Sequence, residues 1–168
     1  LAKGIETAFA SINLQILGPE ILLLVTGLVA MMLGALRRGG KDAAAGWVSF
    51  LGVYGAFVWL IVGMYLRPGL LSTTAFSGLF VLDQFAFFFK FLFLFATLLV
   101  ILMSMRYLEE EGESRGEYYA LLCFATLGMM FMASGQDLIA IYVALELMAL
   151  SVYVLVGFLK GDRRSNEA

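Results

Sequence analysis

The sequence predicts an all-α, polytopic membrane protein with five transmembrane helices, its N-terminus outside and its C-terminus inside. Three observations predict that class. First, 62% of the 168 residues are hydrophobic and only 14% are charged, with 15 Phe and 9 Met; a soluble domain has about 45–50% apolar and roughly 25% charged residues. Second, the apolar residues gather in five stretches, each near the ~20 residues a helix needs to cross a ~30 Å hydrocarbon core. Third, none of these stretches alternates apolar and polar residues, which argues for helices and against barrel strands. The same composition excludes disordered and collagen-like chains. A net charge of −2 leaves no basic surface to neutralise phosphates and argues against a nucleic-acid partner. With no His and one Cys, Cys123, the chain lacks a disulfide framework and the ligands of Cys/His zinc, iron–sulfur or His-ligated haem sites.

The elements follow in order along one membrane domain, residues 1–168. The first helix runs over about 17–36, with Glu20 beside Pro19 near its start. Arg37-Arg38-Gly39-Gly40-Lys41-Asp42 is a polar turn into the second, about 43–66, which carries no charge. Arg67-Pro68-Gly69 stops that helix, because proline disfavours a helical residue before it. The apolar but Ser-, Thr- and Gly-rich stretch 70–81 reads as an interfacial loop. The third helix, about 82–105, contains Asp83 and Lys90. The glutamate-rich residues 109–117 form a solvated loop before an uncharged fourth helix at about 118–136. Asp137 then caps the fifth, about 138–159, which is interrupted only by Glu146.

Orientation follows from the basic residues. With the N-terminus outside, Arg37, Arg38, Lys41, Arg106, Arg115, Lys160, Arg163 and Arg164 lie inside. Only Lys3 and Arg67 lie outside, and Lys90 falls within a span. Positive residues concentrate on the cytoplasmic side, whereas acidic ones contribute little to the rule. The chain begins with Leu rather than Met, and its last residues, Arg163-Arg164-Ser165-Asn166-Glu167-Ala168, simply stop, so a piece of a longer protein is expected.

Charges inside spans cost about 2.5–3.5 kcal/mol each at the helix centre, which makes them functional candidates. Glu146 is the clearest, since it stands eight residues after Leu138 and is too short to reach an interface. Tyr142 and Tyr153 share its helical face. A glutamate that merely ties helices together is the alternative, but Asn or Gln would serve that purpose more cheaply. Lys90 is open to two readings, a side chain that snorkels to the interface or a member of a proton path. Asp83 reads as a helix-start residue, and Glu20 as a first-turn acid favoured by the helix dipole. Met129, Met130, Met132 and Met148 read as packing residues. Ala30 and Gly34 form a small-xxx-small pair that permits close helix approach.

The order Gly116-Glu117-Tyr118-Tyr119-Ala120-Leu121-Leu122, Thr126-Leu127-Gly128-Met129-Met130 and Ala133-Ser134-Gly135-Gln136-Asp137-Leu138 is distinctive. It leads into Leu145-Glu146-Leu147-Met148-Ala149-Leu150-Ser151-Val152-Tyr153 and closes with Arg163-Arg164-Ser165-Asn166-Glu167-Ala168. Gly18-Pro19-Glu20 and Val81-Leu82-Asp83-Gln84-Phe85-Ala86 agree with it. Together they resemble the subunit N family of bacterial proton-pumping NADH-quinone oxidoreductases (respiratory complex I), one of the antiporter-like subunits.

That resemblance implies the N-terminal part of an antiporter-like fold of about fourteen helices built around inverted repeats, truncated here before helix six. It implies a proton-translocating subunit of the inner (cell) membrane of a bacterium, coupling quinone reduction to proton transfer beside other membrane subunits and lipid. In the family, the glutamate of the fifth helix pairs with a lysine on the seventh, and Glu146 stands at the glutamate position. No cofactor is expected in this chain; NAD, FMN, iron–sulfur clusters and quinone belong to other subunits. The alternatives are the large subunit of a multisubunit cation/proton antiporter and a membrane scaffold that transports nothing.

Overall fold

The computed structural model describes residues 16–36, 43–66, 73–111 and 116–158. The polar turn 37–42, the Arg67-Pro68-Gly69 stop and most of the basic residues used for orientation lie outside the described residues. Five α-helices are long and apolar enough to cross a membrane among those described. They are α1 (Gly18–Leu36), α2 (Ala43–Leu66), α3 (Gln84–Glu111), α4 (Gly116–Ser134) and α5 (Leu138–Val156). The protein is a multi-pass membrane protein.

Local chemistry explains the helix starts. Asp83 precedes α3, and its Oδ1 accepts from the Ala86 N–H at 2.7 Å. Asp137 caps α5 by accepting from the Ile139 N–H at 3.1 Å. Each supplies an acceptor to an amide that the helix leaves unpaired. α3 continues to Glu111, past the end expected near Met105, since glutamates propagate a helix and nothing breaks it before Gly112.

The stretch expected as an interfacial loop holds a small hairpin instead. β1 (Thr73–Ala75) and β2 (Phe80–Leu82) pair antiparallel, with Thr74 opposite Val81. A 3-10 turn, Phe76–Gly78, joins them, and Gly78 takes the left-handed φ of 97° that favours glycine. Pairing satisfies backbone groups of both short strands. The hairpin also grips the α4–α5 turn. Phe80 bridges to Gly135, and the Gln136 N–H donates to the Leu79 carbonyl at 2.9 Å.

Helices α1 to α4 close a ring in which each packs on its sequence neighbour and α1 returns to α4. α5 packs on α4 outside that ring. The share of each span that is buried follows from this: 50% for α4 and 11% for α5.

Lipid supplies no hydrophobic drive between helices, so close approach at small residues does the work. Gly34 and Ala30 of α1 meet Gly116 of α4 backbone to backbone. Gly52 of α2 leaves room for Thr26, and Gly128 of α4 seats α5 at Ala144 and Met148. Leu23, Val53, Leu94, Ile101, Tyr119 and Met130 fill the space between.

Candidate functional site: charged side chains inside the helices

Lys90 is the seventh residue of α3, and Glu20 lies in the first turn of α1. Each is about one per cent exposed, and Lys90 Nζ stands 2.5 Å from Glu20 Oε1. Since α1 and α3 occupy opposite corners of the ring, the ion pair crosses its interior. Neither group makes a hydrogen bond to another side chain or to the backbone among the described residues.

This arrangement sets aside one of the two readings of Lys90 and corrects the reading of Glu20. Lys90 does not snorkel, because its ammonium turns inward to a carboxylate at the same depth. Glu20 does stand in the first turn of its helix, but it is more than a dipole partner: its carboxylate carries the counter-charge of Lys90. A sequence signal existed for this, since both residues lie within about 10 Å of the N-terminal ends of their helices at 1.5 Å per residue.

Toward the N-terminal ends of α1 and α3 the pair is closed off by apolar side chains. Leu17 precedes Glu20 and Ala86 precedes Lys90 by roughly one turn, and both belong to a second buried cluster with Ile16, Ala75 and Leu82. Phe80 of the hairpin and Phe131 of α4 pack against this cluster, their rings 5.2 Å apart.

Below Lys90 the buried face of α3 continues with Leu94, Thr97, Ile101, Ser104 and Leu108. Its polar members, Lys90, Thr97 and Ser104, recur every seven residues, two helical turns. Each meets a different partner. Thr97 Oγ1 lies 2.8 Å from Thr126 Oγ1 of α4, and Ser104 Oγ lies 2.9 Å from the Tyr118 hydroxyl. Both threonine hydroxyls also lie 2.8 Å from the carbonyl four residues back, Phe93 for Thr97 and Leu122 for Thr126. Sequence reasoning missed this stripe, because hydroxyls look unremarkable in an apolar helix until their partners are known.

Glu146 occupies a different setting. It is the ninth residue of α5, about 12 Å from the helix start at 1.5 Å per residue. Its side chain is half-buried, and among the described residues it makes no ion pair or hydrogen bond. Ala144 and Ser151 are the buried residues of α5. At 100° per residue Glu146 points to the opposite side, together with Tyr142 and Tyr153. Those tyrosines are 61% and 73% exposed. Since α5 packs on α4, Glu146 does not join the Glu20–Lys90 pair.

Among the described residues no three His, Cys, Asp or Glu side chains cluster as metal ligands. Cys123 is buried and unbridged.

No family model matches the chain. Curated relatives do. NADH-quinone oxidoreductase subunit N 2 of Rhizobium meliloti (strain 1021) is 46% identical over 151 residues, 89% of this chain and 30% of the relative. Subunit N of Trichlorobacter lovleyi is 38% identical over 165 residues, 98% of this chain and 33% of the relative. Subunit N 1 of Koribacter versatilis (strain Ellin345) is 56% identical over 113 residues, 67% of this chain and 22% of the relative. The chain thus spans about a third or less of the length of these relatives.

Proposed function

This chain belongs, over the stretch it shares with them, to the family of NADH-quinone oxidoreductase subunit N, and on that premise we propose that it acts as part of a proton-translocating membrane subunit. The proposed setting is the bacterial inner membrane, beside the other membrane subunits of the complex and surrounded by lipid. The chain itself does no redox chemistry: NAD, FMN, iron–sulfur clusters and quinone belong to other subunits. The absence of His and the single Cys support that division.

The observation that carries the reading is Glu146, a carboxyl near the middle of an apolar membrane helix and without a partner among the described residues. Such residues are rare in spans and mark ion and proton pathways. The role proposed for Glu146 is to take up and release a proton. In low dielectric the energy of a charge depends steeply on nearby charges. A cationic side chain brought close therefore favours the ionised carboxylate, and its withdrawal favours the protonated form. Tyr142 and Tyr153, on the same side of α5, supply hydroxyls for the proton's approach.

The test is Glu146→Gln in the full-length subunit of the assembled complex. It keeps shape and much of the hydrogen-bonding capacity but removes the titratable group. Proton pumping, normalised to assembled complex, should fall strongly. Glu146→Asp should retain more of it, because ionisation matters more than packing in this mechanism. Undiminished pumping by assembled Glu146→Gln would reduce Glu146 to a residue that ties helices together.

A further inference from the structure

We infer that Glu20 and Lys90 form a second proton-exchanging station, in the outer half of the α1–α4 ring and separate from Glu146. The inference rests on the proton-translocating reading above and adds a site to it.

Three observations point to exchange rather than to a simple clamp. Both side chains are withdrawn from solvent and paired with each other. Apart from that pairing, Glu20 Oε2 and the remaining ammonium hydrogens have no hydrogen-bond partner among the described residues. An ion pair serving only to hold helices together offsets its desolvation through such added bonds, and two apolar side chains would hold them equally well. Moreover, the pair sits at the outward end of the one buried stripe of α3 that carries polar groups at Thr97 and Ser104.

The coupled states give a complete cycle. Starting from carboxylate and ammonium, a proton arriving at Glu20 Oε2 gives a carboxylic acid beside the ammonium, with one added positive charge. Loss of a proton from Lys90 gives a neutral acid and a neutral amine. Transfer of the acid's proton to the amine restores the ion pair. One proton has entered at the carboxyl and one has left at the amine, with no net change in the protein. Asp83 is the nearest further acid along α3, and its carboxylate is engaged with the Ala86 amide. The segments packed around the pair, α2, the hairpin and the adjoining part of α4, contribute no charged side chain among the described residues.

The test uses the full-length subunit in its assembled complex. Lys90→Arg keeps a permanent positive charge for Glu20, so a clamp tolerates it, but guanidinium does not release a proton in proteins. Proton pumping per assembled complex should fall about tenfold or more, within the loss expected when a positioned proton-transfer group is removed. Normal pumping by assembled Lys90→Arg overturns the inference. Should arginine prevent assembly, Glu20→Gln/Lys90→Met removes both charges together and is read in the same way: pumping lost supports the station, and pumping retained overturns it. Glu146→Gln measured in parallel separates the two readings. If Glu146→Gln pumps normally, the role proposed for Glu146 fails, and the pair variants decide the second station by themselves. If it loses pumping while the pair variants keep theirs, only the second station fails.

Discussion

Glu20 on α1 and Lys90 on α3 form a 2.5 Å ion pair across the interior of the four-helix ring, between helices that are not packing neighbours. The pair therefore links two helices that the rest of the packing joins mainly through α2 and α4. It also places opposite charges where either one alone would be stranded in an apolar interior.

Removing one partner of a buried pair costs about 3–5 kcal/mol, whereas removing both is often close to neutral. Glu20→Gln and Lys90→Met should each lower the thermal unfolding midpoint of the detergent-purified protein. The double variant should recover most of that loss. A double variant as unstable as the sum of the two singles would mean that the charges do not support each other.

The α1–α4 contact depends on the lack of a side chain at Gly116. A Cβ there would press on the Ala30 carbonyl, with Gly34 N at 2.8 Å and Gly34 Cα at 2.9 Å, all of them backbone atoms that cannot rotate away. Gly116→Ala should destabilise by about 1–3 kcal/mol, the usual cost of overpacking. Gly63→Ala on α2 is the control, because nothing lies within 4 Å of its Cβ position. It should be neutral or gain up to about 1 kcal/mol from helix propensity. Thermal melts of the two variants side by side decide the point, and equal midpoints would refute it.

Gly128 seats α5 beside the proposed proton site. Its added Cβ would lie 2.8 Å from both the Ala144 carbonyl and the Met148 amide, positions that flank Glu146. Gly128→Ala should push α5 away from α4 and lower proton pumping of the assembled complex without touching any titratable group. Pumping equal to that of the unaltered protein would show that the position of Glu146 is not set by this contact.

Orientation can be read chemically. Cys123 is buried and should react slowly with a membrane-impermeant thiol reagent in the folded protein. In a Cys123→Ala background, a cysteine at Ser72 should label from outside and one at Ser114 only after permeabilisation. The reverse pattern would invert the topology inferred from the basic residues.

Much of this protein is local and therefore legible in the chain. Apolar run length alone marks five membrane helices, since a helix in lipid satisfies its own backbone and needs no tertiary partner to do so. Asp83 and Asp137 are readable as caps because the amides they serve lie two or three residues away. Ala30 and Gly34 announce a close contact by their spacing, though not that Gly116 fills it. Glu146 and Lys90 stand out because a charge in an apolar run is visible without any structure.

Tertiary structure decided what depends on ring closure. Glu20 looks like an ordinary first-turn acid, and only the meeting of α1 and α3 across the ring, 70 residues apart in sequence, makes it the counter-charge of Lys90. The hairpin was equally hidden: three-residue strands carry too little pattern to declare themselves, and pairing with each other and with the α4–α5 turn holds them. The hydroxyl stripe of α3 acquires meaning only through Thr126 and Tyr118 on α4. The physical reason is the same in all three cases. Helix formation in a membrane is fixed by backbone hydrogen bonds within each segment, whereas the partner of a buried polar group is fixed by which helices pack together.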